Sequence, residues 1–491
     1  MKIKSLEVDN HPVLGTFTYS FEEDKAITLL VSENGSGKTK LMEFAYTLLD
    51  KGFRLWEIPE WKSGSISRVK LFLQLSPDEC DLLPRVTINE GSGPVETAIN
   101  GNIYLEATEK RNDFGIISIY SFNERTAQYE QLASRNFPGS LLGPNNTFSN
   151  LLRERVRFST VEINYTEPKV ERPGAFNIDE ETPTKSPKNL AEITADLLVS
   201  LSLEDDRVFR KQNSTPGSVV SDFTGKFDRF KKAYNTLFAE GIELIGVEIE
   251  NKEYVVKFKN LRTSKEFPLK GLSSGQQQVV YRVGYLLQNI NISDGGVVFI
   301  DEPELSLHPR WQERYLNFLL ELFGENLQFI IATHSPYIVK TGINNTSVGI
   351  SKLELTPTGL IDEKLTNGSK LSQPTLAEVS HRAFGITSEE FHIELYLELQ
   401  KRFAPESWDT TQTKYTGGTP TNLDSVLRAA PYNIAIYKTW TDTNSKKSIQ
   451  ETIMTFVRNG IHHGSDSVSR GRPMYTKQEL EQSVSSMLSL L

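Results

Sequence analysis

Eight residues near the start of the chain, Ser32-Glu33-Asn34-Gly35-Ser36-Gly37-Lys38-Thr39, fit the pattern G-x-x-x-x-G-K-[ST] at every defined position except the first, where serine replaces glycine. In such a loop the backbone N–H groups surround a polyphosphate, the lysine reaches its β and γ phosphates, and the following hydroxyl binds magnesium. Far downstream, Val297-Val298-Phe299-Ile300 ends in two adjacent acids, Asp301 and Glu302, bounded by Pro303. One carboxylate on a metal and a second on an attacking water suit nucleotide hydrolysis: Asp301 and Thr39 would hold magnesium, and Glu302 would polarise the water. Ser32 must adopt a geometry glycine takes freely, at a cost of about 1–3 kcal/mol if that geometry is strained. Gly35 and Gly37 still stand where the backbone approaches phosphates. The expected nucleotide contacts are therefore Asn34, Gly35, Ser36, Gly37, Lys38, Thr39 and Lys40.

These residues need particular elements to position them. Ala26-Ile27-Thr28-Leu29-Leu30-Val31 is an apolar, β-rich run, the pattern of a buried strand in an α/β sheet. After the loop, Leu41, Phe44, Ala45 and Leu48 fall at helical spacing, so a helix starts there. Between the two acidic and glycine motifs lies a second polar turn, Leu272-Ser273-Ser274-Gly275-Gln276, followed by Val279, Val280, Val283 and Leu286 at helical spacing. Such a turn at a helix N-terminus can accept a phosphate. The chain already has one cradle of its own, so this turn is expected to close on the nucleotide of a second protomer.

The four motifs together resemble an ABC-type ATPase of the soluble SMC, Rad50 and OLD-like branch. Leu272 to Gln276 are similar to its LSGGQ signature, with Ser274 replacing the first glycine of the pair. "IDEPELSLHP" resembles its Walker B and D-loop, and "FIIATHSPYIV" its switch-histidine strand, with His334 as the γ-phosphate sensor. Gln74 in "LFLQLSP" is the candidate for the family's Q-loop glutamine. The resemblance covers Met1 to about Lys340 and implies an α/β, ABC-type P-loop core of mixed and parallel sheet with helices. It also implies ATP and Mg²⁺ as ligands, and a head-to-tail dimer sandwiching two ATPs. Lys38, Thr39, Asp301, Glu302 and His334 of one chain would then face Ser273, Ser274, Gly275 and Gln276 of the other, with Ser306 bridging.

Composition bounds the rest. A chain of 491 residues, 38% hydrophobic and 24% charged, suggests several soluble domains, and nothing approaches the roughly 18 consecutive apolar residues of a membrane span. "MKIKSLEVDN" lacks an apolar targeting core, so a cytoplasmic location is expected and no membrane partner. The single Cys80 excludes an internal disulfide or a cysteine-cluster metal site. A net charge of −9 argues against coating nucleic acid through bulk charge, although a local basic groove is compatible with it.

The interval between Lys38 and Leu272 lacks sustained heptads, which excludes a long coiled-coil arm. It reads as antiparallel strands, such as "SRVKLFLQL" and "IISIYSF", a polar loop from about Glu167 to Lys188, and a helical lid from about Asn189 to Ala239. The expected organisation is an N-terminal ATPase lobe over 1–165 and a loop and helical lid insertion over 166–265. A C-terminal ATPase lobe over 266–345 and a mostly helical region over 346–491 follow. The lid's basic clusters, Arg207, Arg210 and Lys211, then Lys226, Arg229, Lys231 and Lys232, read either as a solvated helix face or as a partner or DNA surface.

The C-terminal region shows no convincing glutamate and DxD set for the TOPRIM nuclease domain that OLD-type enzymes carry. "ETIMTFVRNGIHHGSD" instead places Arg458 and His463 with four residues between them, which resembles the R-x4-H motif of HEPN ribonucleases. Histidine can move a proton while arginine stabilises a phosphate. A degenerate module of that kind, or ordinary complementation of a helix dipole with Gly460 interrupting the helix, explains the same residues. His308 is expected to be a packed D-loop residue and His392 a surface helix residue.

Short ATPases of this type resemble those of bacterial anti-phage systems, most closely the ATPase subunit of PARIS, with that of Septu as the alternative. That likeness implies a sensor and scaffold forming a larger homo-oligomer, partnered by a separate nuclease of the TOPRIM kind and triggered by a phage protein. Two other classes stay open: a RecF-like or Rad50-like repair ATPase, and an ATPase-regulated HEPN RNase toxin.

Overall fold

A computed structural model of the chain describes all residues except 52–60, 62–63, 82–85, 91–92, 98–100, 109–115, 124–126, 132–146, 160–189, 214–224, 240, 290–294, 306, 404–407, 410–413 and 416–422. It divides into two units, Met1–Lys364 and Leu365–Leu491.

The first unit opens with the antiparallel strands β1 (Lys2–His11) and β2 (Gly15–Ser20), then β3 (Ile27–Val31), α1 (Lys38–Asp50), β4 (Arg68–Gln74) and α2 (Pro77–Asp81). Strands β5 (Val86–Glu90), β6 (Gly93–Thr97), β7 (Asn102–Thr108), β8 (Ile116–Asn123) and β9 (Gln128–Gln131) precede α3 (Thr147–Glu154) and β10 (Val156–Ser159). Next come α4 (Leu190–Asn213), α5 (Lys226–Leu237), β11 (Ile242–Glu250), β12 (Glu253–Asn260) and β13 (Glu266–Pro268). The unit finishes with α6 (Ser274–Asn289), β14 (Gly296–Asp301), α7 (Pro309–Phe323), β15 (Leu327–Thr333), α8 (Pro336–Gly342), β16 (Val348–Thr356) and β17 (Gly359–Leu365).

Twelve of these strands form one sheet in the order β10-β14-β15-β3-β16-β17-β2-β1-β4-β7-β8-β9. Strands β10, β14, β15, β3 and β16 run parallel, and every residue of β3, β14 and β15 is buried. Their unbroken apolar runs reflect cover on both faces, where an alternating pattern would leave one face in water. From β2 to β9 the pairing is antiparallel, as "SRVKLFLQL" and "IISIYSF" predict. The mixed α/β core expected of a P-loop ATPase is therefore present.

Two expectations about organisation are revised. The boundary placed after residue 345 falls after Lys364, because β16 pairs with β3 and β17 pairs with β2, completing the ATPase sheet. The insertion is only partly helical: α4 and α5 are joined by the three-stranded sheet β11-β12-β13. The polar loop expected at Glu167–Lys188 lies outside the described residues. Asp205 of α4 anchors α5 by accepting from the N–H groups of Lys226, Phe227 and Asp228 at 3.0, 2.9 and 3.3 Å. Gly225 makes this approach possible, since a Cβ there would lie 1.9 Å from the Asp205 carboxyl carbon. Of the basic residues on α5, Lys231 donates to Ile245 O at 2.5 Å and Lys232 pairs with Glu321 at 3.3 Å, so part of that face holds the fold together.

The second unit contains α9 (Leu376–Phe384), α10 (Glu389–Phe403), the short strands β18 (Trp408–Asp409) and β19 (Lys414–Tyr415), and α11 (Leu423–Arg428). The hairpin β20 (Lys438–Thr441) and β21 (Ser448–Glu451) leads into α12 (Ile453–Ser469) and α13 (Lys477–Leu488). Phe391, Leu395, Leu399, Met454, Phe456, Val457 and Val484 form its core. Gly460 does not interrupt α12: the helix runs through it, and the missing side chain admits the Tyr475 ring, 2.5 Å from where a Cβ would stand. Among the described residues no helix is long and apolar enough to cross a membrane.

His392 is fully buried, contrary to the surface position expected, with Nε2 2.8 Å from Ser483 Oγ. Burial, with a smaller push from His462, lowers its pKa to about 3. An unfolded chain takes up this proton at about pH 6.5, so the folded state loses stability as pH falls from about 6.5 towards 3, by up to ~1.4 kcal/mol per unit. Denaturation of the full chain, followed by proteolysis within Leu365–Leu491, is expected to show the second unit weaker at about pH 5 than at about pH 7. His392→Phe should remove most of that difference.

Candidate functional site

The loop between β3 and α1 brings the first motif to the end of the parallel sheet. Gly35 and Gly37 take φ of 80° and 89°, in the left-handed region where glycine is favoured. Ser32 is not among the residues with positive φ, so the strain expected of it does not arise. Its hydroxyl instead accepts from Lys38 Nζ at 3.0 Å and bonds Ser36 Oγ. Lys38 Nζ also donates to Ser32 O at 3.3 Å and Glu33 O at 3.1 Å. No side chain caps α1 at Gly37, so its first N–H groups keep their anion-binding capacity. Burial pushes the Lys38 ammonium down to about 8 against the pull of the Glu302, Asp301 and Glu304 carboxylates.

Strand β14 delivers the second motif to the same place. Thr39 Oγ1 donates to both Asp301 carboxylate oxygens, at 3.1 and 3.3 Å, so the two expected magnesium ligands are adjacent although 262 positions apart. Burial raises the Asp301 carboxyl, and the Thr39 bond opposes this. A hydroxyl and a carboxylate are hard oxygen ligands that fit a magnesium ion, and the free helix N-terminus beside them fits a phosphate. Glu302 follows at φ 43°, a left-handed conformation unusual for a residue with a side chain, of the kind held in place only by strong surroundings. Its N–H donates to Ala332 O at 2.9 Å, and its carboxylate lies 3.8 Å from His334 Nε2. Burial and then the Lys38 charge lower the His334 pKa, outweighing Glu302, so the imidazole is neutral at pH 7 and this contact is not an ion pair.

Glu304 was not singled out by the sequence patterns. Its Oε1 accepts from His334 N at 2.6 Å and its Oε2 from Thr333 Oγ1 at 2.9 Å, tying the turn after β14 to the end of β15. Gln312 of α7 adds a second tie, donating to Leu307 O at 2.8 Å and accepting from Ser335 Oγ at 2.6 Å. Arg282, buried on α6, donates to Asp301 O at 3.3 Å and links the signature helix to the acids. A third acid two residues after an acid pair was the only available signal for Glu304. Gln312 and Arg282 lie on helices whose apolar spacing masked them.

The signature turn opens α6 as expected. Ser273 and Ser274 are exposed, whereas Gln276 is buried and its Oε1 accepts from Ser273 N at 2.9 Å. Gln276 thus shapes the turn from within. Gln74 is not positioned as a Q-loop residue: it lines a cavity with Gly295 and Asn326, which precede β14 and β15, at the opposite end of the parallel strands from Asp301. Lys40 is exposed and bonded to Glu43 at 2.6 Å, and Ser306 lies outside the described residues. His308 is exposed, not packed, and caps α7, its Nδ1 accepting from Arg310 N at 3.3 Å.

In the second unit the R-x4-H residues separate. His463 lines a cavity of about 330 Å³ with Trp440, Asn459, Arg470 and Arg472. Arg458 instead donates to Asn459 Oδ1 and lies 5.8 Å from the Tyr396 ring. Five residues of helix turn the two side chains about 140° apart.

This is the site of a P-loop ATPase. The chain belongs to the family described as "AAA domain, putative AbiEii toxin, Type IV TA system", which matches residues 27–340. Among curated proteins, "Retron Vc95 probable ATPase" of Vibrio cholerae serotype O1 biovar El Tor is 31% identical over 90 residues, 16% of this chain and 17% of that protein. "Retron Ec83 probable ATPase" of Escherichia coli is 46% identical over 54 residues, 11% and 10% of the two chains. "Septu protein PtuA" of Bacillus thuringiensis is 31% identical over 90 residues, 16% and 22%. The chain thus aligns with less than a quarter of the length of these relatives. A solved SMC head bound to the C-winged helix domain of ScpA superposes with TM-score 0.42 at 10% identity, over 74% of this chain and 98% of that one. The SMC head domain from Thermotoga maritima gives 0.36 at 14%, over 74% and 99%.

Glu304→Gln puts an amide donor against the His334 N–H or the Thr333 hydroxyl, which carboxylate oxygens now satisfy. We expect ATP turnover to fall about tenfold with little change in nucleotide affinity, and stability to drop by about 1–3 kcal/mol. Paired turnover, binding and melting measurements on this variant would check both.

Proposed function

We propose that the chain binds and hydrolyses ATP as the sensor and scaffold subunit of a bacterial anti-phage defence complex, with a separate nuclease as effector. The observation that carries the ATPase part is the junction of Thr39 and Asp301, with Lys38, Glu302 and His334 around it. Thr39 and Asp301 would hold magnesium, which supplies charge neutralisation to the phosphates. Lys38 exchanges its loop carbonyl partners for phosphate oxygens, Glu302 orients a water and accepts its proton, and neutral His334 offers a ring donor towards the γ-phosphate position. The exposed Ser273 and Ser274 support an assignment to the partner's nucleotide, giving a head-to-tail, ATP-sandwiched dimer within a larger homo-oligomer.

The defence part is supported by the segmental likeness to the Septu and retron ATPases. With Septu PtuA among the relatives, we place a Septu-like arrangement ahead of the PARIS-like one that the sequence alone suggested. The effector, a TOPRIM nuclease in the PARIS-like version, is held by the ATPase and activated when a phage protein is sensed. The chain acts in the cytoplasm. The separation of Arg458 from the His463 cavity weighs against an on-board HEPN ribonuclease.

Glu302→Gln should lower ATP turnover by about 10² or more while retaining ATP binding, whereas Lys38→Ala should weaken binding itself. Both should abolish protection of cells against phage. Full protection by either variant would sink the defence reading, while unchanged turnover in Glu302→Gln would sink the assignment of the general base. Affinity purification of tagged Glu302→Gln with its genomic neighbours and ATP should recover an assembly larger than a dimer that contains a nuclease.

A further inference from the structure

A buried cation stands behind the two acids at the end of β14. Arg282 of α6 is 5% exposed, and its Nη1 donates to Asp301 O at 3.3 Å and lies 3.5 Å from Glu302 O. A guanidinium keeps its charge at any physiological pH, so these carbonyls face a permanent positive group. The two acids are otherwise held very differently. Asp301 is the last residue of β14, paired with Ala332 of β15, and its carboxylate takes the Thr39 hydroxyl at 3.1 and 3.3 Å. Glu302 lies one residue past the strand at φ 43°, with its N–H on Ala332 O at 2.9 Å. A left-handed residue with a side chain persists only where its surroundings over-determine it. On the carbonyl side those surroundings include Leu305 N–H at 3.3 Å, which closes a turn within the same loop, and Arg282, which reaches in from a helix. That helix begins at the exposed turn Ser273-Ser274, and Arg282 follows Ser273 by nine positions, about 13 Å along the axis. Close by, Gly284 admits Thr194 of α4: a Cβ there would lie 2.3 Å from the threonine methyl. Helix α6 is thereby wedged against α4 beside the arginine, which gives its long side chain a fixed base.

We propose that Arg282 is a positioning residue for ATP hydrolysis, fixing the backbone of Glu302 so that its carboxylate is aimed at the attacking water. This role presupposes the ATPase reading and the assignment of Glu302 as its general base. Such a group must be held to within about 0.5 Å of its productive place, and the residues packed behind it supply that precision. Without the guanidinium, Asp301 still has β15 and Thr39, so the magnesium and nucleotide contacts persist. Glu302 loses a carbonyl partner at its left-handed position, so its side chain loses direction. The effect falls on the chemical step and not on binding. Because the arginine rides on α6, the signature turn and the general base of one chain are joined by a single helix.

Steady-state ATP turnover, binding of a non-hydrolysable ATP analogue and thermal melting are to be measured on the full chain for Arg282→Met and Arg282→Lys, each alone and combined with Glu302→Gln. Arg282→Met should lower kcat about 10- to 100-fold while analogue affinity stays within about twofold, and Arg282→Lys, which keeps the charge without the planar fork, should lose less. With Glu302→Gln already in place, either substitution should cost less than about twofold more, because a residue that acts through Glu302 has no base left to position. Should the methionine variant not fold, the lysine variant carries the same comparison. Equal losses in both backgrounds, affinity falling in step with turnover, or a kcat unchanged in both variants overturns the proposal. A parent chain that turns over no ATP removes the ATPase reading itself and this role with it, an outcome distinct from each of those.

Discussion

Three carboxylates, Asp301, Glu302 and Glu304, crowd the end of a strand whose every residue is buried, and the architecture around them makes that arrangement tolerable. Like charges in a low-dielectric setting cost several kcal/mol unless each finds a partner. Asp301 takes the Thr39 hydroxyl, and Glu304 takes a backbone N–H and a hydroxyl from the end of β15. Lys38 supplies positive charge from the facing loop. Those partners come from the end of β15 and from α1, which the loop after β3 positions, so the parallel order β14-β15-β3 is what supports the acids. The site and the core of the first unit are in this sense one object.

This coupling explains what was legible in the sequence. A fully buried parallel strand is written as an uninterrupted apolar run, and a loop that needs left-handed backbone is written in glycine, so β3, β14 and the phosphate loop could be placed from residue types alone. Ser32 was misjudged for the same reason: glycine marks the usual tolerance of that position, but the loop's left-handed turns fall at Gly35 and Gly37. Glu304, Gln312 and Arg282 were illegible because their roles depend on backbone groups of distant strands, which no local spacing encodes.

The errors in the periphery have a common origin as well. Gln74 was the Q-loop candidate on family likeness alone, yet antiparallel pairing with β1 carries it to the other end of the parallel strands from Asp301. His392 lies on a helix with polar neighbours, and only the packing of α10 against α13 buries it. The strands β16 and β17 were not placed individually because they follow the last recognisable motif, although residues after Lys340 were expected to complete the sheet and β16 pairs with β3 as closely as β15 does.

The serine at the head of the phosphate loop has one more consequence. Its hydroxyl reaches both Lys38 and Ser36, so the lysine is held by a contact that glycine at this position could not offer. A polyphosphate must outcompete that internal ligand before the lysine is released. The loop therefore carries its own competitor for the lysine, a contact that opposes nucleotide binding and that a glycine loop would lack.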